Sequence, residues 1–146
     1  LPIHIYTALL GYAAFANAFF YNVMYLLLHR DISSGSFGRL FRRFPALEEL
    51  DEMNYRSILA GLGLLLVSIV LGIIWFYITY SDLPFYYPKV MFTIFSWALY
   101  AAVLVFRSLL GWHGRRIAIL SMIGFIVVML SFTIVNALAH PFHANF

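Results

Sequence analysis

The feature that most constrains this chain is a series of long stretches without a charged residue. Residues 5–28 and 57–81 contain none, and no charged residue follows position 116. A further stretch, 90–106, covers roughly 26 Å as a helix at 1.5 Å per residue. Because about 20 apolar residues cross a bilayer core, the pattern predicts four transmembrane helices. We place them at about residues 5–28, 57–80, 90–107 and 117–139.

The amino-acid composition also indicates an integral membrane protein. The 146 residues are 64% hydrophobic and 10% charged, whereas soluble domains are roughly 45–50% apolar and about 25% charged. These values exclude a soluble globule and a disordered chain. The absence of cysteine excludes disulfides and metal–thiolate sites built from this chain. We therefore expect an all-α integral membrane protein, a single four-helix domain in the lipid bilayer. Since it starts at Leu1 and has no basic segment before its first apolar run, we interpret it as a fragment of a longer chain or as a processed chain.

The basic residues predict the orientation of the bundle. Eight arginines lie in two of the three connections between the predicted spans, namely Arg30, Arg39, Arg42, Arg43, Arg56, Arg107, Arg115 and Arg116. The remaining connection carries Lys89 alone. The positive-inside rule makes the two arginine-bearing connections cytoplasmic, which predicts that both termini lie on the outer face. The basic residues behind the net charge of +3 thus set the orientation in the membrane, and we expect no nucleic-acid partner.

The first cytoplasmic connection has a pattern of its own at residues 37–52. Phe37, Leu40, Phe41 and Phe44 recur at helical spacing with arginines between them, which is typical of a short amphipathic helix on an anionic membrane surface. Pro45 ends that pattern, and the acidic run that follows it, residues 48–52, predicts the start of another helix that leads into the second span. We interpret the segment as a topological anchor, with protein docking as the alternative.

The histidines are the main candidates for chemistry. The predicted spans contain no ionisable residue in their interiors, which disfavours proton-coupled transport. All five histidines instead lie at span ends, at His4, His29, His113, His140 and His143. The predicted topology places His4, His140 and His143 on the outer face and the other two inside.

An aromatic run connects the second and third spans. Residues 75–87 contain seven aromatic residues, which predicts an apolar surface at the membrane interface. Two neutral imidazoles beside such a surface suit an iron porphyrin. The alternative is an ordinary interfacial aromatic belt with solvated histidines.

An ordered set of short motifs strengthens the haem interpretation. It comprises Tyr12-Ala13, Gly72 with Trp75, Pro88-Lys89, Trp97 with Tyr100, the turn from Gly111 to Arg116, and Asn136 with His143. In order and spacing this set resembles the cytochrome c assembly family of haem-handling membrane proteins, which includes CcsA, ResC and CcmC. Phe85-Tyr86-Tyr87 replaces that family's tryptophan-rich core, so the chain is more similar to the HemX-related branch.

The resemblance implies haem handling at the outer face of a bacterial cytoplasmic membrane, with haem b held non-covalently in transit. His4 and His143 would be the axial ligands, with His140 as the alternative to His143. The remaining candidate haem contacts are Trp75, Phe85, Tyr86, Tyr87 and, for a propionate, Lys89. The implied partners are apocytochrome c and other cytochrome c assembly membrane proteins. Any enzymatic activity would belong to a complete cytochrome c synthase.

Two other functions stay open from the sequence. One is a HemX-like regulatory or scaffold protein whose cytoplasmic segment 37–52 is the working surface. The other is a structural subunit of a respiratory membrane complex.

Overall fold

The residues that the structure describes form four long helices. This computed structural model describes the backbone of residues 2–35, 38, 42–82 and 84–143, and the side chains of this set except those of 2, 84 and 138–143. The helices are α1 (Pro2–Ser33), α2 (Leu47–Tyr80), α3 (Pro88–Leu109) and α4 (Arg115–His143). Each of the four is long and apolar enough to cross a membrane, which confirms the predicted class of fold.

Helix α2 extends well beyond the uncharged stretch that predicted it. It begins at Leu47, two residues after Pro45, and Glu48 and Glu49 lie in its first turn. Carboxylates at that position interact favourably with the positive end of the helix dipole, so the acidic run continues into the span as one helix. Of the amphipathic helix predicted ahead of it, residues 37 and 39–41 lie outside the described part of the chain.

The connection between α2 and α3 is short and ordered by local backbone contacts. Ser81 ends α2 in the left-handed region at φ 53°, and its N–H donates to the carbonyl of Tyr77. A single 3-10 turn, Pro84–Tyr86, follows. Pro88 then occupies the first turn of α3, where its fixed φ suits a helix start.

The helices close into an up-and-down bundle. Helices α1 and α3 each pack against both α2 and α4, and sequential helices run antiparallel. The start of α1 and the end of α4 therefore lie at one end of the bundle, which we call the His4 end. The opposite end, the arginine end, carries Arg30, Arg56, Arg107, Arg115 and Arg116.

Helices α1 and α2 approach closely along a seam of small residues. A Cβ atom at Gly11 would lie 3.3 Å from the carbonyl oxygen of Gly61, and one at Gly61 would lie 2.5 Å from the Phe15 ring. Small residues allow this close backbone approach in membrane bundles, where dispersion contacts replace the hydrophobic effect. The seam fixes the register that brings the start of α1 against the end of α2.

The centre of the bundle is filled by aromatic rings. Phe15 of α1 and Tyr100 of α3 stack across the bundle with centroids 3.9 Å apart and planes 3° apart, and both are fully buried. Phe19 stacks on Phe125 of α4 at 4.8 Å. The indole N–H of Trp97 donates to the carbonyl of Leu62, 3.1 Å away, which ties α3 to α2.

An ionic cluster joins α3 to α2 at the arginine end. Arg107 Nη2 lies 3.3 Å from a carboxylate oxygen of Asp51 and 3.8 Å from one of Glu52. The guanidinium also lies 4.2 Å from the ring centroid of Tyr55. Because the Arg107 side chain is only 11% exposed, this cluster is a partly desolvated contact between helices.

Candidate functional site

The His4 end contains a cavity of about 500 Å³ between α1, α2 and α3. We call it the His4 cavity. Most of its lining is apolar, and the complete set is His4, Ile5, Ile69, Gly72, Ile73, Trp75, Phe76, Lys89, Val90 and Thr93. Its volume lies in the range of pockets that bind small molecules and cofactors.

The imidazole of His4 is held by one residue of α2. Its Nδ1 lies 2.7 Å from the carbonyl oxygen of Ser68. Because a carbonyl only accepts, Nδ1 carries the proton and donates it. The Ser68 hydroxyl lies 3.0 Å from the same nitrogen and donates to the His4 carbonyl, also at 3.0 Å. Nε2 makes no hydrogen bond within the described residues, so in the neutral imidazole it carries a free lone pair.

Gly72 lets the ring lie directly against α2. A Cβ atom at Gly72 would be 2.7 Å from His4 Cε1 and 3.3 Å from Nε2, so no larger residue fits there without moving the ring. Ser68 and Gly72 are four residues apart and therefore share one face of the helix. Together they fix both the tautomer and the position of the imidazole.

The cavity wall next to His4 is aromatic. Trp75 and Phe76 both line it. The Phe76 ring packs against Tyr80 at 4.7 Å and against Tyr87 at 5.2 Å between centroids. Tyr87 therefore supports the wall from behind through Phe76.

The sequence-predicted site residues divide into three groups in the structure. His4, Trp75 and Lys89 come together around the His4 cavity. Phe85, Tyr86 and Tyr87 lie on the neighbouring turn outside the lining, and Tyr86 is 88% exposed. The backbone of α4 reaches position 143 at the His4 end, but the side chains of His140 and His143 lie outside the described set, so their roles stay predictions.

The sequence did not single out Phe76 or Thr93 of the cavity lining, or Ser68, which binds the His4 ring from α2. Gly72 was noted only as part of a motif. The signal for Phe76 was its place in the aromatic run at 75–87. Ser68 and Gly72 could be found only as two small residues at a spacing of four in an uncharged span.

The other two histidines with described side chains lie at the arginine end. His29 Nδ1 is 3.5 Å from the Ser33 hydroxyl, and His113 Nδ1 donates to the carbonyl of Gly111 at 2.8 Å. Among the residues that the structure describes, no three His, Asp or Glu side chains form a group that could hold a metal ion. The His4 cavity thus offers one imidazole nitrogen beside a mostly apolar wall, with the side chains of Lys89 and Thr93 also in its lining.

Four helices long enough to cross a membrane, with an imidazole at a cavity that has aromatic residues in its wall, define a multi-pass α-helical membrane protein. The chain belongs to the family described as Cytochrome C assembly protein, which it matches over residues 1–143.

Two curated relatives cover almost the whole chain. Protein HemX of Bacillus subtilis (strain 168) is 30% identical over 143 residues, which are 98% of this chain and 51% of HemX. Cytochrome c biogenesis protein CcsA of Prochlorococcus marinus (strain MIT 9215) is 32% identical over 163 residues, covering 99% of this chain and 53% of CcsA. The chain thus spans about half the length of these relatives. No solved structure matches it.

Proposed function

We propose that this chain binds haem b non-covalently at the outer face of the bacterial cytoplasmic membrane during cytochrome c maturation. The haem is cargo in transit. The observation that carries the proposal is the state of His4, whose Nδ1–H is bound to the Ser68 carbonyl while Nε2 remains free for iron. A metal-ligating histidine usually donates its other ring N–H to a carbonyl or carboxylate in this way.

The rest of the His4 cavity fits the shape and charge of a porphyrin. Trp75 and Phe76 offer apolar ring surface to its flat face, and stacking of aromatic rings favours a fixed orientation. Lys89 lines the same cavity and would pair with a propionate carboxylate.

The second axial ligand in this proposal is His143, with His140 as the alternative. Its support is the antiparallel bundle, in which α4 ends at the end where α1 begins. Two imidazoles would hold the iron until an apocytochrome c displaces one of them. The cytochrome c partner and the other assembly proteins in this proposal rest on the family and on the name of the CcsA relatives.

The outer face is proposed from the distribution of basic residues. The arginines with described positions lie at the end opposite His4. The positive-inside rule then puts that end in the cytoplasm, and with it the His4 cavity and both termini on the outer face.

The decisive experiment is an absorption spectrum of the purified full-length protein made with excess haem, oxidised and then reduced. His4→Ala and His143→Ala should each lower haem retention strongly, and added imidazole should partly restore it, because an axial nitrogen supplies a coordinate bond. Tyr87→Ala should weaken retention without moving the coordination bands, because Tyr87 supports the cavity wall through Phe76. Tyr86→Ala should weaken it less, because Tyr86 lies outside the lining.

The matched controls are His29→Ala and His113→Ala, which remove the same side chain at the arginine end and should leave the spectrum unchanged. Full haem retention and an unaltered spectrum in His4→Ala would refute the ligand assignment. A wild-type protein that stays colourless with excess haem would refute haem binding and favour the regulatory or scaffold function.

A further inference from the structure

A second cavity lies at the arginine end, between the last turns of α1 and the first turns of α4. Its volume is about 590 Å³, and we call it the arginine cavity. Its lining combines aliphatic residues with basic or polar ones. The aliphatic residues are Leu26 and Ile119, and the basic or polar ones are His29, Arg30, Ser33, Ser34 and Arg115.

The two guanidinium groups of this cavity lack the partners that the neighbouring arginines have. Arg107 and Arg56 form ion pairs with acidic residues of α2, and Arg116 lies over the Trp112 ring at 5.7 Å. Within the described part of the chain, Arg30 and Arg115 make no ion pair and no ring contact. Among the described residues, the cavity therefore holds two positive charges that form no ion pair, one from each of two helices.

The backbone of α4 adds to this positive potential. Arg115 is the first residue of that helix, and the first hydrogen bond at its start runs from the Ala118 N–H to the Gly114 carbonyl. The N–H groups of residues 115–117 are thus free of helical partners, and the positive end of the helix dipole lies at the cavity.

The cavity changes from apolar to polar along the bundle axis. Leu26 lies one turn deeper in α1 than Arg30, and Ile119 lies one turn deeper in α4 than Arg115, since four residues make about one turn. Both basic residues are exposed at the end of the bundle, whereas Leu26 is half-buried. An apolar floor below a pair of guanidiniums matches an amphiphile with an anionic head and a hydrocarbon tail.

We infer that the arginine cavity binds an anionic phospholipid through its phosphate group. Arg30 and Arg115 would each donate charge-assisted hydrogen bonds to the phosphate oxygens, a geometry that guanidinium favours. The upper part of one acyl chain would lie on Leu26 and Ile119. Basic pockets between transmembrane helices bind anionic lipid headgroups elsewhere by the same chemistry. The inference does not depend on haem binding.

The test is native mass spectrometry of the full-length protein from bilayers containing phosphatidylglycerol and phosphatidylcholine. The wild type should retain phosphatidylglycerol preferentially after detergent exchange. Arg30→Gln with Arg115→Gln should lower the retained fraction about 30-fold, at about fivefold for each arginine.

The matched control is Arg56→Gln with Arg116→Gln, which removes two positive charges from the same end but outside the cavity. This variant should retain phosphatidylglycerol within about twofold of the wild type. An equal loss in both double variants would overturn the site, because it would reduce the effect to general surface charge.

Inorganic phosphate distinguishes a lipid from a soluble ligand. If the lipid is bound by head and tail together, millimolar phosphate should not displace phosphatidylglycerol from the wild type. Binding of phosphate alone without lipid retention would overturn the lipid assignment, and equal retention of phosphatidylcholine would overturn recognition of the negative charge.

Discussion

The two ends of this bundle use their polar residues in opposite ways. At the arginine end, Arg107 is paired with Asp51 and Glu52 between two helices, so the charges satisfy one another. At the His4 end, the histidine is held through one ring nitrogen by Ser68, and its other ring nitrogen makes no hydrogen bond within the described residues. Both contacts join two helices, but the Arg107 cluster pairs its charges with one another, whereas the His4 contact leaves one nitrogen of a cavity-lining side chain without a partner among the described residues.

The first prediction concerns whether the two ends of the bundle face opposite sides of the membrane, and labelling of introduced cysteines tests it. Because the chain has no cysteine, a single introduced thiol can be labelled without background. Tyr86→Cys at the His4 end should react with an impermeant reagent added to intact cells, and Ser34→Cys at the arginine end should not. Both should react after permeabilisation. Labelling of Ser34→Cys in intact cells would reverse the orientation and move the proposed haem site to the cytoplasm.

The second prediction concerns the stability that the Arg107 cluster gives to the arginine end. Arg107→Ala should lower the free energy of unfolding by about 3 kcal/mol, because it leaves the partly buried Asp51 carboxylate without its partner. Thermal unfolding in detergent measures the change. The control is Arg56→Ala, whose ion pair with Glu52 joins side chains that are 77% and 49% exposed, and it should cost about 0.5 kcal/mol. Equal losses in the two variants would show that the Arg107 cluster is an ordinary surface contact.

A third prediction separates ligand orientation from stability at the His4 end. Gly72→Ala places a methyl group 2.7 Å from His4 Cε1, so the imidazole must shift away from Ser68. Haem affinity should fall about 10- to 100-fold, the usual range for disturbing a ligand's support, while the gain in helix propensity offsets part of the overpacking cost. Haem titration and thermal unfolding measure the two quantities separately.

The control for this prediction is Gly63→Ala in the same helix, where an added Cβ atom meets nothing within 4 Å. It should leave haem affinity unchanged. If Gly72→Ala binds haem as tightly as Gly63→Ala does, the position of the His4 ring does not matter for binding.

The smallest effect comes from the hydroxyl that supports His4. Ser68→Ala removes the bonds made by Ser68 Oγ but keeps the carbonyl that accepts from Nδ1, so haem affinity should fall only about tenfold or less. The measurement is haem titration with the position of the coordination bands as a second readout. Ser96→Ala is the matched control, because Ser96 is equally buried but its hydroxyl donates within its own helix. A similar loss in both variants would assign the effect to general packing.

The sequence alone could predict the four helices, because a charged side chain in a bilayer core costs free energy. Long stretches without charge therefore mark the spans directly. It could also predict that His4, Trp75 and Lys89 lie at one end, since an up-and-down bundle fixes which termini and connections are neighbours. The helix start after Pro45 could be predicted as well, because a proline followed by early carboxylates is typical of a helix N-terminus, and α2 begins at Leu47.

The detailed composition of the cavity could not be predicted in this way. Ser68 and Gly72 face His4 because Gly11 and Gly61 set the register between α1 and α2, and the uncharged sequence around them offers several equivalent registers. The aromatic run likewise did not reveal that Phe76 faces the cavity while Phe85 and Tyr86 stay outside it. Which side of a turn each ring occupies depends on the local backbone, including the left-handed Ser81.

The stacked pair of Phe15 and Tyr100 has a consequence for the route of any cargo. The two rings meet in van der Waals contact across the middle of the bundle, and neither exposes any surface. They fill the centre of the bundle between the arginine cavity and the His4 cavity. Within the described residues the axis of the bundle is therefore closed between the two cavities, and each cavity is reached from its own end of the bundle or from the sides of the helices.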